Sequence, residues 1–145
     1  MRYVDIGIKR DDVLKKVGIE TAFLGMKSGD IDKVSLGESE NAIAEKLFSE
    51  SVSEAAALFL RYGNLLESTE GCTISLHMPS AFPEKGENEL KASVEKYLAT
   101  SMLASWLRVI GDERMASYES DCATIALEVR QILNKRNKKE RGVYE

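Results

Sequence analysis

The sequence predicts a mainly α fold, a four-helix bundle-like domain with a minor two-stranded β element. Three observations predict it. Between Glu87 and Lys138 apolar residues return every three or four positions in two runs, broken at Gly111-Asp112; this is the period of one helix face. A third run of that period extends from Glu40 to Leu66. Only Tyr3–Ile8 and Cys72–Met78 alternate with the strand period of two.

In chain order, Val4, Ile6 and Ile8 alternate with Tyr3, Asp5 and Gly7, as in a short strand or extended arm. Helix one is expected from Asp12 to Gly25, with Val13, Leu14, Val17, Thr21 and Leu24 inward. An aspartate at its start accepts backbone N–H groups and suits the positive helix end. Gly18 inside it costs about 1 kcal/mol relative to alanine. Gly25 or Gly29 supplies the stop. Met26–Ser39 is a polar connection, long enough to be a binding or assembly surface or a plain flexible link.

Helix two is expected from Glu40 to Leu66. Ser39 is its cap, and Ala44, Leu47, Phe48, Val52, Ala55, Leu58, Phe59, Tyr62 and Leu66 form its stripe. Glu45, Glu50 and Glu54 fall mostly off that stripe. Glu67–Gly71 reads as a turn. The strand Cys72–Met78 needs a partner, because one strand alone is unstable; Tyr3–Ile8 or a neighbouring subunit can supply it. Pro79 and Pro83 end the strand and fix an extended link. The last two helices, joined by so short a break, are expected to fold back as an antiparallel hairpin. The apolar period fails from Asn137 onward. A single helical domain over 1–137 and a loosely ordered basic tail over 138–145 follow.

A chain of 145 residues is one domain's worth and buries roughly 70% of its unfolded surface, enough to fold without metal or disulfide. The net charge of −4 makes no overall case for nucleic acid. Cys72 and Cys122 fit no zinc or redox spacing. With no apolar leader in MRYVDIGIKR they are expected reduced and buried in a cytosolic fold. No apolar run is long enough to span a membrane. The charge is unevenly placed. Glu38–Glu89 holds ten glutamates against Lys46, Arg61 and Lys85, whereas Lys135, Arg136, Lys138, Lys139 and Arg141 crowd the end of the chain. Such segregation suits head-to-tail assembly, with a basic patch meeting a neighbour's acidic one; it also suits a solvated surface with a frayed end.

Catalytic chemistry finds no motif. His77 lies on the polar side of its strand, with no nucleophile or orienting carboxylate in its vicinity in the sequence. Cys122 and Trp106 sit on apolar stripes and read as packing, Trp106 alternatively as an interface anchor. Asp30 and Asp32 resemble a fragment of a calcium loop whose glycine and terminal glutamate are missing. Phosphate loops, metal-ligand pairs and nucleophile elbows are absent, so no enzyme activity and no cofactor are expected. The candidate interaction residues are Lys135, Arg136, Lys138, Lys139 and Arg141 at the basic end, and Glu45, Glu50 and Glu54 on helix two. The basic set could contact a phosphate backbone; it could equally stabilise the negative end of its helix.

The segments KRDDVLKKVGIETAFLGMKSGDID, ELKASVEKYLATSMLASWLRVI and YESDCATIALEVRQILNKRNK resemble small prophage-encoded proteins of gut bacteria. The tryptophan late in helix three and the Arg/Lys-rich end of helix four carry much of that likeness. The layout is similar to phage head–tail connector (neck or adaptor) proteins; MRYVDIGI is an addition to it. The resemblance implies a non-enzymatic virion assembly protein, made in the host cytoplasm and then built into the virion. Its partners would be portal and tail-completion proteins, with a homo-oligomeric ring and DNA contact through the basic tail. The alternative from another class is a small cytoplasmic regulatory or nucleic-acid-binding module using that tail.

Overall fold

The fold is known from a computed structural model that describes residues 1–29, 36 and 41–137. The expected Ser39 cap, the Asp30/Asp32 fragment, most of the Met26–Ser39 connection and the tail residues Lys138, Lys139 and Arg141 lie outside the described residues. The elements are β1 (Arg2–Lys9), α1 (Arg10–Ser28), α2 (Asn41–Ala56), β2 (Gly63–Glu67), β3 (Gly71–Met78), α3 (Lys85–Val109) and α4 (Met115–Leu133).

The two alternating stretches pair with each other within the chain. β1 runs antiparallel to β3, with Tyr3 opposite His77, Ile6 opposite Ile74 and Ile8 opposite Cys72. The expectation of a two-stranded element in a mainly α bundle is wrong, because β3 has a second antiparallel neighbour. Leu65 of β2 lies opposite Ile74, giving a three-stranded sheet in the order β1-β3-β2. Among the described residues there are four helices; α1, α2 and α3 lie against the sheet and α4 packs on α3, so the fold is a mixed α and β one.

The reason lies in the second half of the expected helix two. Its α-helix stops at Ala56, followed by a 3-10 turn over Ala57–Phe59 and then by β2. Leu58, Tyr62 and Leu66 keep a helical spacing, yet Leu66 is 62% exposed and Leu65 is buried, as a strand requires. Gly63 permits the switch. A Cβ there would come within 2.0 Å of the Ser75 carbonyl oxygen, so β2 can approach β3 only without a side chain at that position.

One face of the sheet is apolar. Val4, Ile6 and Ile8 of β1, Leu65 of β2, and Cys72, Ile74, Leu76 and Met78 of β3 are buried in one cluster with Leu90, Val94, Leu98 and Met102 of α3. Each large side chain so buried contributes about 1.5–3 kcal/mol. The other face is open, with Tyr3, Asp5, Asn64, Leu66 and His77 exposed.

α3 and α4 form the expected hairpin. Gly111 takes φ 71° at the reversal, a left-handed conformation that glycine adopts without Cβ strain. The antiparallel sense is clear from ion pairs at both ends: Arg108 with Glu119 beside the turn, and Lys135 with Glu89 at 2.5 Å far from it. α1 lies against the turn end, where Tyr118 Oη donates to Glu20 (2.9 Å) and Arg114 donates to the Leu24 carbonyl (3.2 Å). The N-terminal arm is fixed by Arg2, which donates to Glu87 and to the Phe82 carbonyl, both at 2.9 Å.

Gly63→Ala is expected to destabilise the protein by about 2 kcal/mol through this overpacking. Urea denaturation measures it. Unchanged stability with the β2 amides still protected from exchange would contradict the close approach.

Candidate functional site: a basic cleft where the sheet meets the end of the hairpin

The site is built where two chain segments stop being helical. After α2 the chain tightens into the 3-10 turn, and Tyr62 N–H donates to the Phe59 carbonyl at 2.9 Å. The Tyr62 carbonyl then accepts from His77 N–H at 2.7 Å, one step beyond the β2–β3 ladder. Tyr62 is thereby anchored to the central strand. On the opposite side α4 ends at Leu133, leaving carbonyls without helical partners. Asn134 N–H donates to the Arg130 and Gln131 carbonyls, and the Arg136 guanidinium donates to those of Leu133 (2.8 Å) and Lys135 (2.6 Å).

The two ends are tied through the Tyr62 side chain. Its hydroxyl donates to Asn134 Oδ1 at 3.2 Å and accepts from Arg136 at 3.3 Å. The Arg61 and Arg136 guanidinium carbons lie 5.5 Å and 5.9 Å from its ring centroid, within cation–π range. Leu58, Arg61, Tyr62, Arg130, Leu133 and Asn134 line a cleft of about 210 Å³. Arg61 and Arg130 are exposed, and neither they nor Arg136 is in an ion pair among the described residues.

Unneutralised guanidiniums around a concave, partly apolar wall suit an anion with several oxygens, since each presents a planar fork of N–H donors. A larger groove of about 400 Å³ at the β1–β3 end is less suited to one charge sign. It sets Asp12 and Glu70 against Lys9 and Lys91.

The residues singled out from sequence divide. Arg136 reaches this site through Tyr62 but is bound up in capping, whereas Lys135 does not line the cleft and is paired with Glu89. Lys138, Lys139 and Arg141 lie outside the described residues. Glu45 and Glu50 are exposed on α2, whereas Glu54 accepts a hydrogen bond from the buried Ser101 hydroxyl (3.1 Å), itself bonded to Ser51. The structure therefore does not gather the three glutamates into one free patch. Arg61 and Arg130 are the residues that spacing missed. They are 69 positions apart, and only the return of α4 to the end of α2 brings them together.

Other reactive side chains are occupied or shielded. His77 stacks on Tyr3 across the open sheet face, with centroids 4.3 Å apart and planes 8° from parallel. Burial pushes the Cys72 thiol up to about 12, with Glu67 and Glu95 adding to it. Cys122 is only half-buried, contrary to expectation; burial, then Glu54 and Asp121, push it up to about 11. No group of three or more His, Cys, Asp or Glu side chains able to hold a metal occurs among the described residues, and no helix among them is long and apolar enough to cross a membrane. Comparison with protein-family models, with curated proteins and with solved structures returns no match to this chain.

The thiol shifts predict slow alkylation. At pH 8 both cysteines are overwhelmingly protonated, and only the thiolate is nucleophilic. Under iodoacetamide Cys122 is expected to react slowly in the folded protein, and Cys72 only on unfolding. Mass spectrometry of timed samples measures this; fast labelling of Cys72 in the native state would contradict its burial.

Proposed function

We propose that the protein is a non-enzymatic assembly subunit of the kind found at a phage head–tail junction, and that it meets duplex DNA through the basic cleft at the end of the α3–α4 hairpin. The setting is supported by the sequence resemblance. The DNA contact is supported by one observation: Arg61 and Arg130 converge on a single cleft with no carboxylate paired to either among the described residues.

The same arrangement favours a phosphate backbone over stacked bases. The ring of Tyr62, the cleft's aromatic residue, already carries two guanidiniums, so it is no bare platform for a base. Lys138, Lys139 and Arg141 follow the cleft in sequence and extend its positive charge along the chain. Glu45 and Glu50, exposed on α2, repel a polyanion from their own face and so favour one orientation. Binding of this type is insensitive to sequence and sensitive to salt, because each phosphate neutralised releases condensed counterions.

Fluorescence anisotropy with a labelled duplex at rising salt tests the contact. Arg61→Gln/Arg130→Gln is expected to weaken binding and to lower the slope of log affinity against log salt by about 2, one unit per lost phosphate contact. Both side chains are exposed, so the thermal melt should be unaltered. Absence of binding, or a slope unchanged by the double substitution, contradicts the cleft's role. For the setting, portal and coat genes are expected beside the coding sequence; a metabolic operon around it contradicts the phage reading while leaving the DNA contact standing.

A further inference from the structure

We propose that the outer face of α1 docks a second copy of this chain, the two helices lying antiparallel across a twofold axis. α1 carries apolar residues on two sides. Val13, Val17, Thr21 and Leu24 are buried against the body of the protein. Ile19, Phe23 and Met26 follow one another at spacings of four and three, so they share one face. They are 62%, 59% and 69% exposed. Elsewhere on the described helices, exposed large apolar residues stand singly: Ile43 on α2, Val109 on α3 and Leu127 on α4. Single ones are ordinary, whereas a contiguous row marks a contact surface.

The charges on α1 identify the occupant. Asp12, at the rim of the groove it shares with Lys9 and Lys91, and Lys27 are exposed, and neither is in an ion pair among the described residues. They are fifteen positions apart, about 22 Å along the axis, with their midpoint between Ile19 and Glu20. An antiparallel copy centred there sets each Asp12 against the other copy's Lys27 and places both apolar rows between the two pairs. A twofold axis requires this self-complementarity, in which one residue meets a second and the second meets the first. Antiparallel packing also brings the negative end of each helix beside the positive end of the other. One helix face is a small interface, below about 1,200 Å², which places the dimer in the weak, reversible class. This inference is independent of the cleft.

Sedimentation equilibrium of the full chain from about 10 to about 500 µM tests it, the range in which a small interface associates. The native sequence is expected to pass from monomer to dimer. Phe23→Asp should raise the dissociation constant at least about tenfold, as loss of a central aromatic anchor does. Asp12→Lys and Lys27→Asp should each weaken association by setting like charges together, and the double swap should restore it. Thermal melts verify that each variant is folded; Ile19→Ser replaces Phe23→Asp if that variant melts early. A monomer throughout the range, as expected if the face is covered by residues 30–40 of its own chain or reserved for a different protein, overturns the proposal. So does a dimer indifferent to Phe23→Asp, or a double swap no better than its parents.

Discussion

Everything in this molecule hangs on β3 having two partners. Its inward side chains Cys72, Ile74, Leu76 and Met78 form the middle of the core, and its backbone carries both β1 and β2. Neither flanking strand pairs with anything else in the described sheet. Removing either pairing would leave buried backbone groups unsatisfied, at a cost of about 1–3 kcal/mol for each. β3 also reaches the candidate site, because the hydrogen bond from His77 N–H to the Tyr62 carbonyl continues the ladder beyond β2. The wall of the cleft is thus held by the centre of the fold rather than by a loop.

That connection explains how two arginines so far apart in sequence come to line one cleft. Arg61 is placed by the turn that Tyr62 closes, and Arg130 by the last full turn of α4. Tyr62 and Asn134 join the two, and Arg136 caps the helix end between them. Like charges lining one cleft leave its positive potential unmatched, which is the condition a polyanion would relieve. The same logic separates this cleft from the ion pairs elsewhere on the surface, such as Lys16 with Glu95 or Arg2 with Glu87, where charge is already matched.

Periodicity in the sequence was enough for the hairpin, for β1 and for β3. Val4, Ile6 and Ile8 point one way because a strand alternates, and Leu90, Val94 and Leu98 recur every four residues along α3, whose later part, Leu98 to Ala104, is buried on every side. It failed at β2 for a specific reason. Leu58, Tyr62 and Leu66 continue the spacing of α2, so the strand Gly63–Glu67 looks like a further stretch of helix. The better signal was Gly63-Asn64, both poor helix formers. The cleft was legible only as an excess of charge at the chain's end. Lys135 and Arg136 stand beside it, but sequence cannot show that one is paired and the other caps a helix. Arg61 and Arg130 depend on long-range contact, which spacing does not encode.

The most direct measurement of the cleft's role is the response of individual arginine side chains to DNA. In a chain of 16.1 kDa the guanidinium Nε–H signals can be followed by NMR as short duplex DNA is added. Arg61 and Arg130 are predicted to shift first and together, while Arg108, already paired with Glu119, stays in place. Uniform small shifts of all arginines, or shifts that leave Arg61 and Arg130 unmoved, would contradict a phosphate site at the end of the hairpin.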